Sequence, residues 1–168
     1  MYGQSLLSNS QRATARSESR YRIDYPLVPT RGARVIALDK GAEEIVRKAA
    51  SQQWQSAHFF TLDTSPSCDS YIGSSVEVTL RSFDGETIPL NQELDSVDVV
   101  VMVATQDTGA AAANTIAAAC TVRGIMTAGI IASTNADSTV AALRPHARIL
   151  IISADKNDLE YLLTAIRA

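Results

Sequence analysis

From residue 33 onward, short apolar runs alternate with stretches whose apolar positions recur every three or four residues, the pattern of strands followed by amphipathic helices. A strand is predicted over 34–38. Gly41 follows, and then Ala42, Ile45, Val46 and Ala49 fall on one helical face, with Glu43, Glu44, Arg47 and Lys48 on the other. A second strand over 58–62 ends at Asp63 and Thr64, before the Ser65-Pro66-Ser67 turn. Val76, Val78 and Leu80 alternate with Glu77, Thr79 and Arg81, and the Asp84-Gly85 turn leads into 87–90, which reads as a hairpin or an edge strand. The near-unbroken Val-rich run over 97–104 calls for burial on both faces, so it is placed at the centre of the sheet.

An Ala-rich helix from 110 to about 122 comes next, ended by Gly124. A strand over 126–132, a short helix capped by Asp137 and stopped by Pro145, and a strand over 147–152 follow in turn. Asp155 is expected to cap a last helix with Leu159, Leu162, Leu163 and Ile166 as its apolar stripe. Strands and helices in strict alternation give a three-layer, doubly wound, Rossmann-like α/β fold with a mostly parallel sheet and an antiparallel edge hairpin.

Residues 1–32 differ in composition. Ser, Asn, Gln, Arg, Thr and Glu dominate from 8 to 22, too polar to offset the entropy of ordering, so 1–32 is expected to be a basic flexible arm and 33–168 a single domain. The arm carries Arg12, Arg16, Arg20, Arg22 and Arg31 against Glu18 and Asp24, a net +3; with −3 for the whole chain, the body carries −6. Tyr21 and Tyr25 among these arginines raise a nucleic-acid contact as a minor alternative, opposed by the acidic body. Cys68 and Cys120 lie outside any C-x-x-C spacing and point to a reducing, cytoplasmic setting without a disulfide framework or zinc site. No apolar run reaches the roughly 20 residues of a membrane span.

In doubly wound sheets ligands bind at the carboxyl ends of the strands where the winding reverses. If 34–38 and 97–104 are neighbours there, the crevice is lined by Asp39, Lys40 and Gly41 and by Thr105, Gln106, Asp107, Thr108 and Gly109, with Asp63 and Thr64 alongside. Each loop enters a helix N-terminus, whose free N–H groups favour an anion. Thr108 and Gly109 are the leading contacts. The residues depart from known phosphate loops, however: Gly41 stands alone before Glu43 and Glu44, with neither G-x-G-x-x-G nor a Walker A pattern. Ser133, Thr134, Asn135 and Ser153 also fall at strand ends, where helix capping is their common work.

The run from Asp98 to Ala104, then Thr108-Gly109-Ala110-Ala111, then Gly124-Ile125-Met126-Thr127-Ala128-Gly129-Ile130-Ile131, resembles the nucleotide-binding half of the tubulin and FtsZ GTPase family. Phe59-Phe60-Thr61-Leu62-Asp63-Thr64 is similar to that family's second strand, and the resemblance spans about 33–155. It implies a nucleotide site at the loop after the Asp-led strand. Where the family has a glycine-rich phosphate loop, this chain has a shorter one whose clear glycine is Gly109, and Asp107 is expected where a phosphate oxygen would lie. The chain also ends before the family's central helix and second domain, so GTP turnover of that kind is not expected.

His58 and His146 have no ligand neighbours at metal spacing, Cys120 sits among alanines, Cys68 lies beside Asp69, and no G-x-S-x-G elbow occurs; no catalytic or metal residue is assigned. The expectation is a non-hydrolytic domain acting through self-association, as a homo-oligomer, or through a protein partner, with a vestigial ligand crevice. The alternative is a small nucleotide- or metabolite-binding sensor or enzyme in which Asp39, Asp63 and Asp107 hold a ribose or a divalent cation.

Overall fold

The computed structural model describes residues 32–63, 78–153, 155, 157–166 and 168. The expected arm over 1–32, apart from Gly32, lies outside the described residues, as do Thr64, Cys68, Asp69 and Val76. In chain order the elements are β1 (Ala33–Ala37), α1 (Lys40–Ala50), β2 (Ala57–Leu62), β3 (Thr79–Ser82), β4 (Thr87–Pro89), α2 (Leu90–Leu94) and β5 (Val99–Ala104). A single 3-10 turn (Asp107–Gly109), α3 (Ala110–Arg123), β6 (Met126–Ile131), α4 (Asp137–Leu143), β7 (Ile149–Ile152) and α5 (Asp158–Ala165) complete them.

The sheet runs β4-β3-β2-β1-β5-β6-β7. Strands β2, β1, β5, β6 and β7 are parallel, and β3 and β4 add the antiparallel edge. The doubly wound α/β fold expected from the alternating pattern is therefore the fold observed. The Val-rich run lies between β1 and β6, with Ala33 level with Val99 and Val99 level with Met126, and its residues from Val100 to Ala104 are fully buried.

Strand alternation divides the core in two. Ile36, Leu38, Val100 and Met102 pack towards α2, α3 and α4; Val35, Ala37, Val101 and Val103 pack towards α1 and α5. The small buried faces of α3, Ala113 and Ala117, set that helix close against the sheet, with Ile116 and Cys120 filling the gaps beside them. Burial pushes the Cys120 thiol up to about 11 against the opposing pull of Thr127 and Arg123, so it is a core group and not a nucleophile.

Three local features differ from the sequence expectation. Asp155, expected to cap the last helix, accepts the Asn157 N–H at 2.9 Å instead, and Asn157 is the cap residue of α5. The short helix α2 follows Pro89, whose preceding strand ends where the ring removes a ladder donor. Asp137 opens α4 but does not cap it: the cap residue is Ala136, and the carboxylate that serves the helix comes from Asp107, 32 positions earlier. Local spacing predicts a local cap, and here a tertiary contact replaces it.

Arg34, on buried β1, donates its Nε to Glu93 of α2 at 2.7 Å, and both side chains are largely shielded from water. That pair pins the crossover between β4 and β5 beneath the sheet. Removing one partner leaves the other charge buried alone. Glu93→Ala is expected to lower stability by about 3 kcal/mol in urea unfolding, and pairing it with Arg34→Met is expected to recover most of the loss.

Candidate functional site

The chain passes from β1 to β2 on one side, then returns to β5 on the other side of β1, so the winding reverses between β1 and β5. Two loops meet there, residues 38–40 after β1 and residues 105–109 after β5. Leu38 extends the ladder by donating its N–H to the Val103 carbonyl at 2.9 Å, which holds the loops side by side.

The side chain between them is Asp39. Its Oδ1 accepts the Ala42 N–H at 2.8 Å and the Thr105 hydroxyl at 2.5 Å; its Oδ2 accepts the Thr105 N–H at 2.7 Å and the Gln106 N–H at 3.0 Å. Asp39 thus caps α1, as the extended backbone at that position (φ −148°, ψ 171°) suits, and at the same time binds the first two amides of the opposite loop. Burial alone would raise its pKa, but the hydroxyl and backbone amide of Thr105, with the amides of Ala42 and Gln106, outweigh burial and hold the carboxyl below the ordinary 3.8.

Two glycines let the loops close to this distance. A Cβ on Gly41 would overlap the Thr105 hydroxyl. One on Gly109 would lie 2.6 Å from the Leu38 Cβ and 2.8 Å from its carbonyl oxygen. Both glycines expected to line a phosphate site therefore serve loop-to-loop packing, and Gly109 is buried.

Asp107 turns towards α4. Its Oδ1 accepts the Thr139 N–H at 2.9 Å, and the fully buried Thr139 returns its hydroxyl to the Gln106 carbonyl at 3.2 Å. The 105–109 loop is tied on one flank to β1 by Asp39 and on the other to α4 by Asp107. An acid at the mouth of the α4 helix satisfies a free amide of its first turn.

The remaining expected site residues divide between the two faces of the sheet. On the α1 face, Asp63 accepts from Arg81 at 2.9 Å and borders a polar recess of about 290 Å³ shared with Lys40, Glu43 and Thr61. On the α3 face, Gln106 and Thr108 rim a cleft of about 620 Å³ whose walls are Leu38, Leu62, Ala111 and Ala112. Sequence reasoning missed that apolar cleft; the signal for it is the pair of alanines in the first turn of α3, which leave room above Leu62. Asp39, Asp63 and Asp107 are each turned to a different partner, and among the described residues no three His, Cys, Asp or Glu side chains gather as metal ligands. Ser133 and Ser153 accept from the backbone two residues on, as turn residues do, and His146 pairs with the Thr121 hydroxyl at 2.9 Å.

No protein-family model matches the chain, and no curated protein matches it. No helix among the described residues is long and apolar enough to cross a membrane.

Replacing the carboxylate tests the arrangement. Asp39→Ala removes a cap and charge-assisted bonds, and is expected to cost about 2–4 kcal/mol at neutral pH. A carboxyl whose folded pKa is depressed contributes stability above its unfolded value, near 3.8, and loses it as pH falls through the lower folded value. Urea midpoints followed from pH 6 downward should therefore fall more steeply for the native chain than for Asp39→Ala.

Proposed function

We propose that this chain is a non-hydrolytic α/β domain, on a plan resembling that of tubulin and FtsZ, that acts by associating with itself or with another protein. The observation that carries the proposal is the occupancy of the crevice by Asp39. The amides of Ala42, Thr105 and Gln106 are the donors that an anionic phosphate would use at such a switch point, and a carboxylate from the chain already takes all three. A triphosphate would have to displace a stabilised carboxylate and then lie against it, and like charges at that range disfavour both steps. The 105–109 loop brings no basic residue, and Lys40, beside Asp39, is the cation that borders the crevice.

One observation favours a second reading. The cleft on the α3 face joins apolar walls to the polar residues Asp39, Lys40, Gln106, Thr108 and Thr115, the build of a small-molecule pocket. A metabolite with an apolar body and no phosphate would suit it, which keeps a sensor function as the alternative.

Thermal unfolding with GTP, ATP, NAD, FAD and Mg²⁺ tests the closed crevice, and the same measurement with phosphate-free apolar metabolites tests the cleft. A ligand at a hundred times its Kd stabilises by about 2.7 kcal/mol. The expected outcome is no shift with any nucleotide and none with Mg²⁺; stabilisation by GTP or ATP would overturn the proposal. In parallel, Asp39→Ala is expected to gain stabilisation from inorganic phosphate that the native chain does not show, because the three amides are then free.

A further inference from the structure

The end of the sheet where the parallel strands begin carries a recess of about 430 Å³, beside β2 and the turn that follows β3. Half-buried Phe59, Phe83 and Ile88 give it an apolar lining, and Asp84, Glu86 and Glu93 make it acidic. Glu93 is answered by Arg34, whereas the exposed carboxylates of Asp84 and Glu86 form no ion pair among the described residues. Arg47, which also pairs with Glu43, lies over the Phe83 ring at 5.0 Å from its centroid, so this lining already takes a guanidinium. Aromatic faces beside unanswered carboxylates fit a segment that is at once apolar and cationic.

The chain enters the sheet next to this recess. Gly32, the residue before β1, has a φ of +96°, and a Cβ there would overlap the Ser56 carbonyl oxygen. Ala33 donates its N–H to that same carbonyl at 3.0 Å and is level with Ala57, which lines the recess. Strand β3 is one strand further on, with Ser82 level with Phe60. Neighbouring strands are about 4.8 Å apart, so the turn after β3 is about 10 Å from Gly32, a span of three or four extended residues. The stretch before Gly32 has the matching chemistry. Over 20–31, Arg20, Arg22 and Arg31 stand against Asp24, a net +2, and Ile23, Tyr25, Leu27 and Val28 supply apolar side chains.

We propose that this recess is the docking site of residues 20–31 of the same chain, whose arginines answer Asp84 and Glu86 and whose apolar side chains cover Phe59 and Phe83. The covalent tether sets the local concentration of the segment on the order of millimolar, so pairs that are individually weak suffice to hold it. The proposal stands apart from the reading of the crevice, which lies at the opposite end of the sheet.

Paramagnetic broadening in the full chain tests this, with a nitroxide on Ser19→Cys and with Cys68→Ser so that buried Cys120 is the only other thiol. The amides of Phe59, Phe83, Asp84 and Glu86 are expected to broaden more than those of β7 or the 105–109 loop, and the effect is expected to fade as salt rises. Asp84→Asn with Glu86→Gln, both at exposed positions, is expected to lower the docked-to-free ratio about fivefold, the scale of one or two exposed ion pairs. Arg20→Gln with Arg22→Gln, which leaves the described residues untouched, is expected to do the same. A mixture of nitroxide-bearing chains with unlabelled, ¹⁵N-enriched chains is expected to show no broadening at the recess. Broadening spread evenly over the surface, or recess broadening indifferent to both pairs of substitutions, overturns the proposal. Recess broadening in the mixture also overturns it, by assigning the recess to the segment of a second copy.

Discussion

The carboxylate of Asp39 is the constraint on which the upper rim of the sheet depends. Strands β1 and β5 would hold their register without it, because five consecutive residues of each are hydrogen-bonded along the core. Their loops would not. A helix N-terminus and a turning chain meet at the point where the winding reverses, each with amides that the secondary structure leaves free. One anion from within the chain satisfies both, and it does so at the place where related architectures hold an anion from outside.

That choice explains the residues around it. Gly41 and Gly109 are needed because the loops close on a carboxylate, which is smaller than a phosphate, and any Cβ would meet Thr105 or Leu38. Thr105 supplies both an amide and a hydroxyl to the same group. Asp107, relieved of any part in the crevice, reaches α4 and fixes the far side of the loop through Thr139. The result is a rim braced from β1 to α4.

Much of the fold was legible because burial leaves strong marks. The near-unbroken Val-rich run of β5 requires neighbours on both sides, and the helical spacing of Ala42, Ile45, Val46 and Ala49 requires one buried face. The candidate loops were legible for the same reason, as strand ends at a topological reversal. The hydrogen-bond targets were not. Nothing local in the sequence says whether Asp39 faces its own helix, the neighbouring loop or solvent, or that Asp107 rather than Asp137 serves α4. Capping rules read three or four residues along the chain, whereas these acids act across 66 and 32 positions. The apolar cleft escaped notice because alanines in a helix signal close packing, and only the three-dimensional arrangement shows where two of them leave space.

The most direct test is an NMR titration of the Asp39 carboxyl carbon together with the amides of Ala42, Thr105 and Gln106. The carboxyl is expected to titrate below 3.8, the three amides to move with that same midpoint, and inorganic phosphate at neutral pH to leave them unmoved. A carboxyl titrating at or above the ordinary value, or amides that shift on adding phosphate, would contradict the closed crevice.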